Sequence, residues 1–204
     1  MPMRSTLGDV ARQATQVIAR QLPQAAQRAG QRAFQAAIDT QADVARAASG
    51  VLGLSGERMS KVDTAWLRMD NPSNLMMIVG VWVLQPGIEY SALCDRVEER
   101  MLSYPRFRQR VDEDAAGASW VEDRDFDLHN HVRRAKLPRG TKGQTPQQRL
   151  QDFVGDLATT PLDRSHPLWQ MDLIEDYEGG SALVVRIHHC IADGIALISV
   201  MMTL

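Results

Sequence analysis

The segment "LWQMDLIEDYEGGSALVVRIHH", Leu168 to His189, constrains the fold of this chain more than any other. Two apolar, β-branched-rich runs flank "YEGG", and two such runs joined by a short glycine-containing turn make a β-hairpin. The expected elements are a strand from about Leu168, a turn on the Gly-Gly pair, and a return strand "SALVVRIHH" ending in two adjacent histidines. An Asp-Gly pair, Asp193-Gly194, follows and opens a last apolar helix, "GIALISVMMTL".

The rest of the chain alternates between the two periodicities. "LMMIVGVWVL", Leu75 to Leu84, is continuously apolar, which predicts a strand buried on both faces. A helix follows, with Ser91 as N-cap and Leu93, Val97 and Met101 at i, i+4 spacing, ending at "YPRF". Short strands are expected around Arg106–Val111 and Ser119–Glu122, then an irregular connector, "FDLHNHVRRAKLPRGTKGQ". Thr145-Pro146-Gln147-Gln148 is a helix start, with Thr as N-cap, Pro at the first helical position and Gln closing a capping box. That helix should reach about Ala158, with Leu150, Phe153, Val154 and Leu157 as its buried stripe. Residues 1–55 differ in kind: they are rich in Ala, Gln and Arg, carry thin helical stripes and show no strand pattern. They read as a helical arm preceding an α/β unit at 56–204.

Composition excludes several classes. With 44% hydrophobic and 24% charged residues, the chain is no disordered polymer. A net charge of −2 gives no sign of nucleic-acid binding. The arm holds six arginines against three aspartates, so its surplus is positive. Cys94 and Cys190 form neither a framework nor a CxxC, which points to a reducing compartment. The N-terminal residues lack the apolar core of a secretory signal, and the longest apolar run is about half a membrane span. A cytoplasmic protein is expected, with peripheral contact at a membrane or lipid droplet through residues 1–50.

The histidine pair is the candidate for chemistry. Adjacent residues on a strand point to opposite faces, so His188 and His189 do not readily converge on one ion, which weighs against a metal site. One imidazole is assigned to chemistry and the other to structure, since neutral imidazole suits general-base work near pH 7. Two packed or surface histidines that happen to be neighbours is the plain alternative. Trp169, Trp66 and Trp82 are expected in the core, and His129 and His131, in the polar connector, in solvent.

"HHCIADG" fits HHxxxDG, the signature of the CoA-dependent acyltransferase superfamily. Together with "ERMSKVDTAWLRMD", "NLMMIVGVWVL", "YPRFRQRV" and "PLDRSHPLWQMDLIE", it resembles the bacterial wax ester synthase/diacylglycerol acyltransferase family from about Glu57 to Leu204. The resemblance implies one lobe of a chloramphenicol acetyltransferase-like fold, a mixed sheet flanked by helices. It implies transfer of a long-chain acyl group from acyl-CoA, a co-substrate rather than a cofactor, to diacylglycerol or a fatty alcohol. His189 would be the general base, His188 its structural neighbour, and Asp193 a structural residue holding the loop by an ion pair. Gly194 would give backbone clearance. Other acceptors, a small alcohol or an amine, are an alternative. So is a truncated, non-catalytic lipid-surface protein, because members of this superfamily have two lobes and this chain ends inside an uncapped apolar helix. A second polypeptide is then expected to supply the missing lobe.

Overall fold

The computed structural model describes residues 56–115, 117–191 and 200. The expected helical arm at 1–55, the Asp193-Gly194 pair and nearly all of the expected last helix lie outside the described residues. Strand β1 (Glu57–Arg58) leads into helix α1 (Lys61–Met69). Ser60 Oγ accepts the Asp63 N–H at 3.0 Å to start that helix, and the backbone turns extended at Asp70 to end it. α1 buries Leu67 and leaves Val62 and Met69 exposed.

Two sheets carry the architecture. Strands β3 (Gln109–Asp114) and β4 (Gly117–Glu122) form a hairpin with β1 on its edge, in the order β1-β4-β3. The larger sheet has the order β2-β7-β6-β5, built from β2 (Met77–Leu84), β5 (Val132–Arg134), β6 (Trp169–Tyr177) and β7 (Gly180–His188). β7 is antiparallel to both neighbours, whereas β5 runs parallel to β6, so the sheet is mixed, as expected. Every residue of β7 is buried.

Several expectations change in detail. β2 is not buried on both faces: it is an edge strand of its sheet, and Val81 and Val83 are 41% and 53% exposed. Helix α2 (Tyr90–Arg96), which runs into a π-helical turn at Val97–Met101, is capped at Glu89 rather than Ser91. The reason is non-local, because Glu175 on β6 accepts the Tyr90 N–H at 2.9 Å and satisfies a first-turn amide. The stripe Leu93, Val97 and Met101 is buried as the spacing requires. Pro105–Arg108 is a short 3₁₀ turn, and the strand begins only at Gln109. Proline's fixed φ suits a first helical position, not a ladder. The hairpin turn is Glu178-Gly179, at φ 49° and 79°, and Gly180 already belongs to β7.

The connector is more ordered than its composition suggested. It holds a one-turn helix, α3 (Leu128–His131), capped by Asp127, and strand β5. Helix α4 (Pro146–Ala158) has the full predicted capping box: Thr145 Oγ1 accepts the Gln148 N–H at 3.2 Å and Gln148 Oε1 accepts the Thr145 N–H at 2.9 Å.

Alternation along β6 and β7 splits the core in two. Trp169, Met171, Leu173, Leu183, Val185 and Ile187 face α2 and the small sheet. Ile174, Ala182 and Val184 face α4, where Leu150, Phe153, Val154 and Leu157 meet them. Arg186, 2% exposed, donates from the sheet to the Leu157 and Thr160 carbonyls at 3.1 and 2.8 Å, which closes the C-terminal end of α4.

Candidate active site

The site forms where α1 ends, β2 begins and β7 ends. Met77 is the register partner of His188, so the first residue of β2 lies beside the last of β7. The chain then turns back: the Ile191 N–H donates to the His188 carbonyl at 3.0 Å, which places His189 and Cys190 at the centre of a tight turn. His189 is therefore not a strand residue, and strand alternation does not set its orientation. Its backbone is held from the side, its N–H donating to the Met76 carbonyl at 2.9 Å.

The two imidazoles have different surroundings. His188 is 3% exposed. Its Nδ1 accepts the Cys190 N–H at 3.1 Å, so its proton resides on Nε2. Among the described residues Nε2 has no hydrogen-bond partner, and it faces Asp70 Oδ1 at 3.8 Å. Burial pushes the His188 pKa down to about 4, against the opposing pull of the Asp70 carboxylate, so the ring is neutral at pH 7. With its lone pair already engaged by a backbone amide, a neutral His188 has no site from which to accept a substrate proton. The His189 ring is half-buried and stacks on the Trp66 indole, with centroids 4.8 Å apart and 22° between planes. Cys190 is buried, and burial raises its thiol well above the usual range, so it is no nucleophile here.

Asp70 and Arg164 complete the floor. Arg164 Nη2 donates to Asp70 Oδ2 at 2.9 Å and to the Leu67 carbonyl at 3.2 Å, at the end of α1. Asp70 Oδ1 accepts the Met76 N–H at 2.8 Å. Burial raises the Asp70 carboxyl, but the Arg164 and Met76 hydrogen bonds together outweigh it and hold the group below its ordinary value. A cavity of about 10 Å³, near the lower limit for one water, opens among Asp70, Leu75, Met77, Leu162, Arg164 and His188.

Trp169 is a core residue, as expected, its Nε1–H donating to the Phe107 carbonyl at 2.8 Å. His131 is not in solvent. It is 4% exposed, stacked between Phe126 and Trp169, and bonded through Nδ1 to the Trp169 carbonyl at 2.8 Å. The parallel β5–β6 pairing draws the connector onto the sheet and takes His131 with it. His129 is exposed and meets the Tyr90 hydroxyl at 2.9 Å. Asp193 and Gly194 lie outside the described residues, so the candidate site as described consists of His188, His189, Trp66, Asp70 and Arg164. The last three were missed as site residues. Their one local signal is the i, i+4 spacing of Trp66 and Asp70 at the end of an amphipathic helix.

Residues 59–204 match the family model described as the wax ester synthase/diacylglycerol acyltransferase catalytic domain. The chain is 35% identical over 150 residues to a probable diacylglycerol O-acyltransferase, tgs3, of Mycobacterium tuberculosis, covering 70% of this chain and 54% of that protein. It thus spans about half the length of that relative. A second mycobacterial protein, the probable diacylglycerol O-acyltransferase tgs1, is 37% identical over 116 residues, 54% of this chain and 24% of that one. Among solved structures, the wax ester synthase/diacylglycerol acyltransferase of Marinobacter aquaeolei VT8 superposes with a TM-score of 0.54 at 25% identity, covering 71% of this chain and 35% of that one. The starter condensation domain of rhizomide synthetase shares the fold, at a TM-score of 0.55 and 17% identity, over 71% of this chain and 35% of its own.

Proposed function

Because the chain belongs to the wax ester synthase/diacylglycerol acyltransferase family, we propose that it is the His-bearing part of an O-acyltransferase that moves a long-chain acyl group from acyl-CoA to diacylglycerol or a fatty alcohol. His189 is the general base in this reading. Its ring takes the proton of the acceptor hydroxyl as that oxygen attacks the thioester carbonyl. The new C–O bond forms, the C–S bond breaks, and the CoA thiolate leaves with the proton His189 returns. No acyl-enzyme is needed, since a thiolate is a good leaving group and alignment of the two substrates supplies much of the rate. The carrying observation is the asymmetry of the pair: His188 is sealed, neutral and already bonded through its lone pair, whereas His189 is half-open and braced by Trp66.

By the family resemblance, Asp193 holds the following loop and Gly194 gives clearance beside the base. The lipid acceptor also needs access. Among the described residues no helix is long and apolar enough to cross a membrane. We assign surface contact to the arm, residues 1–50, and completion of the site to a second lobe, on this chain's continuation or on another polypeptide.

The test is an acyl-CoA plus diacylglycerol assay on the complete enzyme, run beside its His189→Ala and His188→Ala variants. His189→Ala should fold and lose roughly 10²–10⁴-fold in rate, the contribution of a positioned base. His188→Ala should lower stability as well. A folded His189→Ala enzyme with wild-type activity removes this assignment, and turnover of a small alcohol or amine in place of the lipid moves the acceptor.

A further inference from the structure

We infer that Asp70 is a positioning residue for His189, gripping the histidine turn from two sides. The inference rests on the acyltransferase reading for its kinetic consequence and on the structure alone for its geometry. One route runs through the backbone: Asp70 Oδ1 fixes the Met76 N–H at 2.8 Å, and the carbonyl of the same residue receives the His189 N–H at 2.9 Å. A single residue, Met76, therefore transmits the position of the carboxylate to the residue that carries the base. The second route runs through His188. The Cys190 amide on Nδ1 requires the Nε2–H tautomer, and the Asp70 carboxylate facing Nε2 at 3.8 Å favours that same tautomer. The two constraints agree, and both act on the turn that holds His189.

Asp70 is itself held. Arg164 binds its free oxygen at 2.9 Å and the Leu67 carbonyl at 3.2 Å, tying the loop before β6 to the end of α1. Trp66, on the last full turn of that helix, stacks on the His189 ring. Arg164, Asp70 and Met76 thus form one chain of bonds that sets His189's backbone, while the helix they anchor sets its ring. A bond to a charged partner is stronger than a neutral one, and loss of alignment at a reacting atom is costly in rate. Because Asp70 acts on His189 through Met76 and His188, its removal should act on kcat and leave acyl-CoA binding alone.

The experiment has two arms on Asp70→Asn, with Arg164→Gln as a second variant that weakens the same chain from its more exposed end. In the first arm, ¹⁵N NMR reads the His188 tautomer and hydrogen exchange reads the His189 amide, neither of which depends on activity. Wild type should show the Nε2–H tautomer and a protected amide. Asp70→Asn should speed His189 exchange roughly ten- to a hundredfold and lower the His188 titration further, since the attracting carboxylate is gone. In the second arm, kcat of the complete enzyme should fall by a similar factor while the acyl-CoA KM stays within about threefold. Unchanged His189 exchange in both variants overturns the grip, and so does a wild type that lacks the Nε2–H tautomer. Loosened exchange with wild-type kcat, or a loss confined to KM, overturns the positioning role. A wild-type enzyme that transfers no acyl group sinks the acyltransferase reading instead, and the NMR arm still decides the grip.

Discussion

At the scale of single residues, the chemistry of the site comes from how differently two neighbouring imidazoles are solvated. His188 is a buried base with a pKa near 4, and that has a consequence for stability. Its folded pKa lies below the ordinary value of 6.5, so above that pH it is neutral folded or unfolded and carries no penalty. As pH falls from about 6.5 toward about 4, the unfolded chain takes up a proton that the folded protein refuses, and stability drops. The full effect is about 3 kcal/mol. His131, also buried and lowered, adds in the same direction. Denaturant unfolding at pH 7 and pH 4.5 should therefore show a marked loss at the lower pH, and His188→Gln should reduce that slope. An equal slope in the variant would remove His188 as its source. Carboxylates also begin to titrate in this window, and the difference between wild type and His188→Gln cancels the part common to both.

At the scale of elements, the β6–β7 hairpin is held by two features of opposite tolerance. Glu178 sits at φ 49° in a two-residue turn with Gly179, a conformation that favours Asn or Gly over a long side chain. Gly180 starts β7 so close to β2 that a methyl group there would collide with the Leu84 carbonyl oxygen, a backbone atom that cannot swing aside. Glu178→Asn should thus raise the unfolding free energy by roughly 0.5–1 kcal/mol. Gly180→Ala should lower it by about 2 kcal/mol or more as the edge strand shifts. Thermal or urea unfolding of the two variants checks both signs, and a neutral Gly180→Ala would mean that the β2–β7 contact is looser than described. The start of helix α4, by contrast, was legible in the sequence, because its Thr145 cap, Pro146 and Gln148 act over four residues.

Across the described residues as a set, the larger sheet separates two packed layers, and its strand order decides which faces are covered. α4 reaches β6, β7 and Val79 but leaves Val81 and Val83 of the edge strand open. The arm is a different case, with its positive surplus and anchors Val17, Ile18, Phe34 and Ile38, all outside the described residues. That composition suits weak, reversible attachment to anionic lipid. Flotation with anionic liposomes should recover the chain, and deletion of residues 1–50 should reduce recovery. Unchanged recovery after the deletion takes the membrane role away from the arm.

The hairpin, helix α4 with its N-terminal capping box, the buried stripe of α2 and the adjacency of the two histidines are legible in the residues alone. These follow from side-chain periodicity and from hydrogen bonds between residues a few positions apart. Tertiary structure decided what each histidine meets. The grip of Asp70 and Arg164, the Trp66 stack, the Glu175 cap on α2 and the burial of His131 by a three-residue parallel strand all join residues remote in sequence. No local pattern encodes such pairs, because a lone Asp or Trp has the same propensities wherever the chain folds back to meet it. Desolvation is likewise a property of the assembled core, and desolvation leaves His188 neutral and sealed beside a half-open His189.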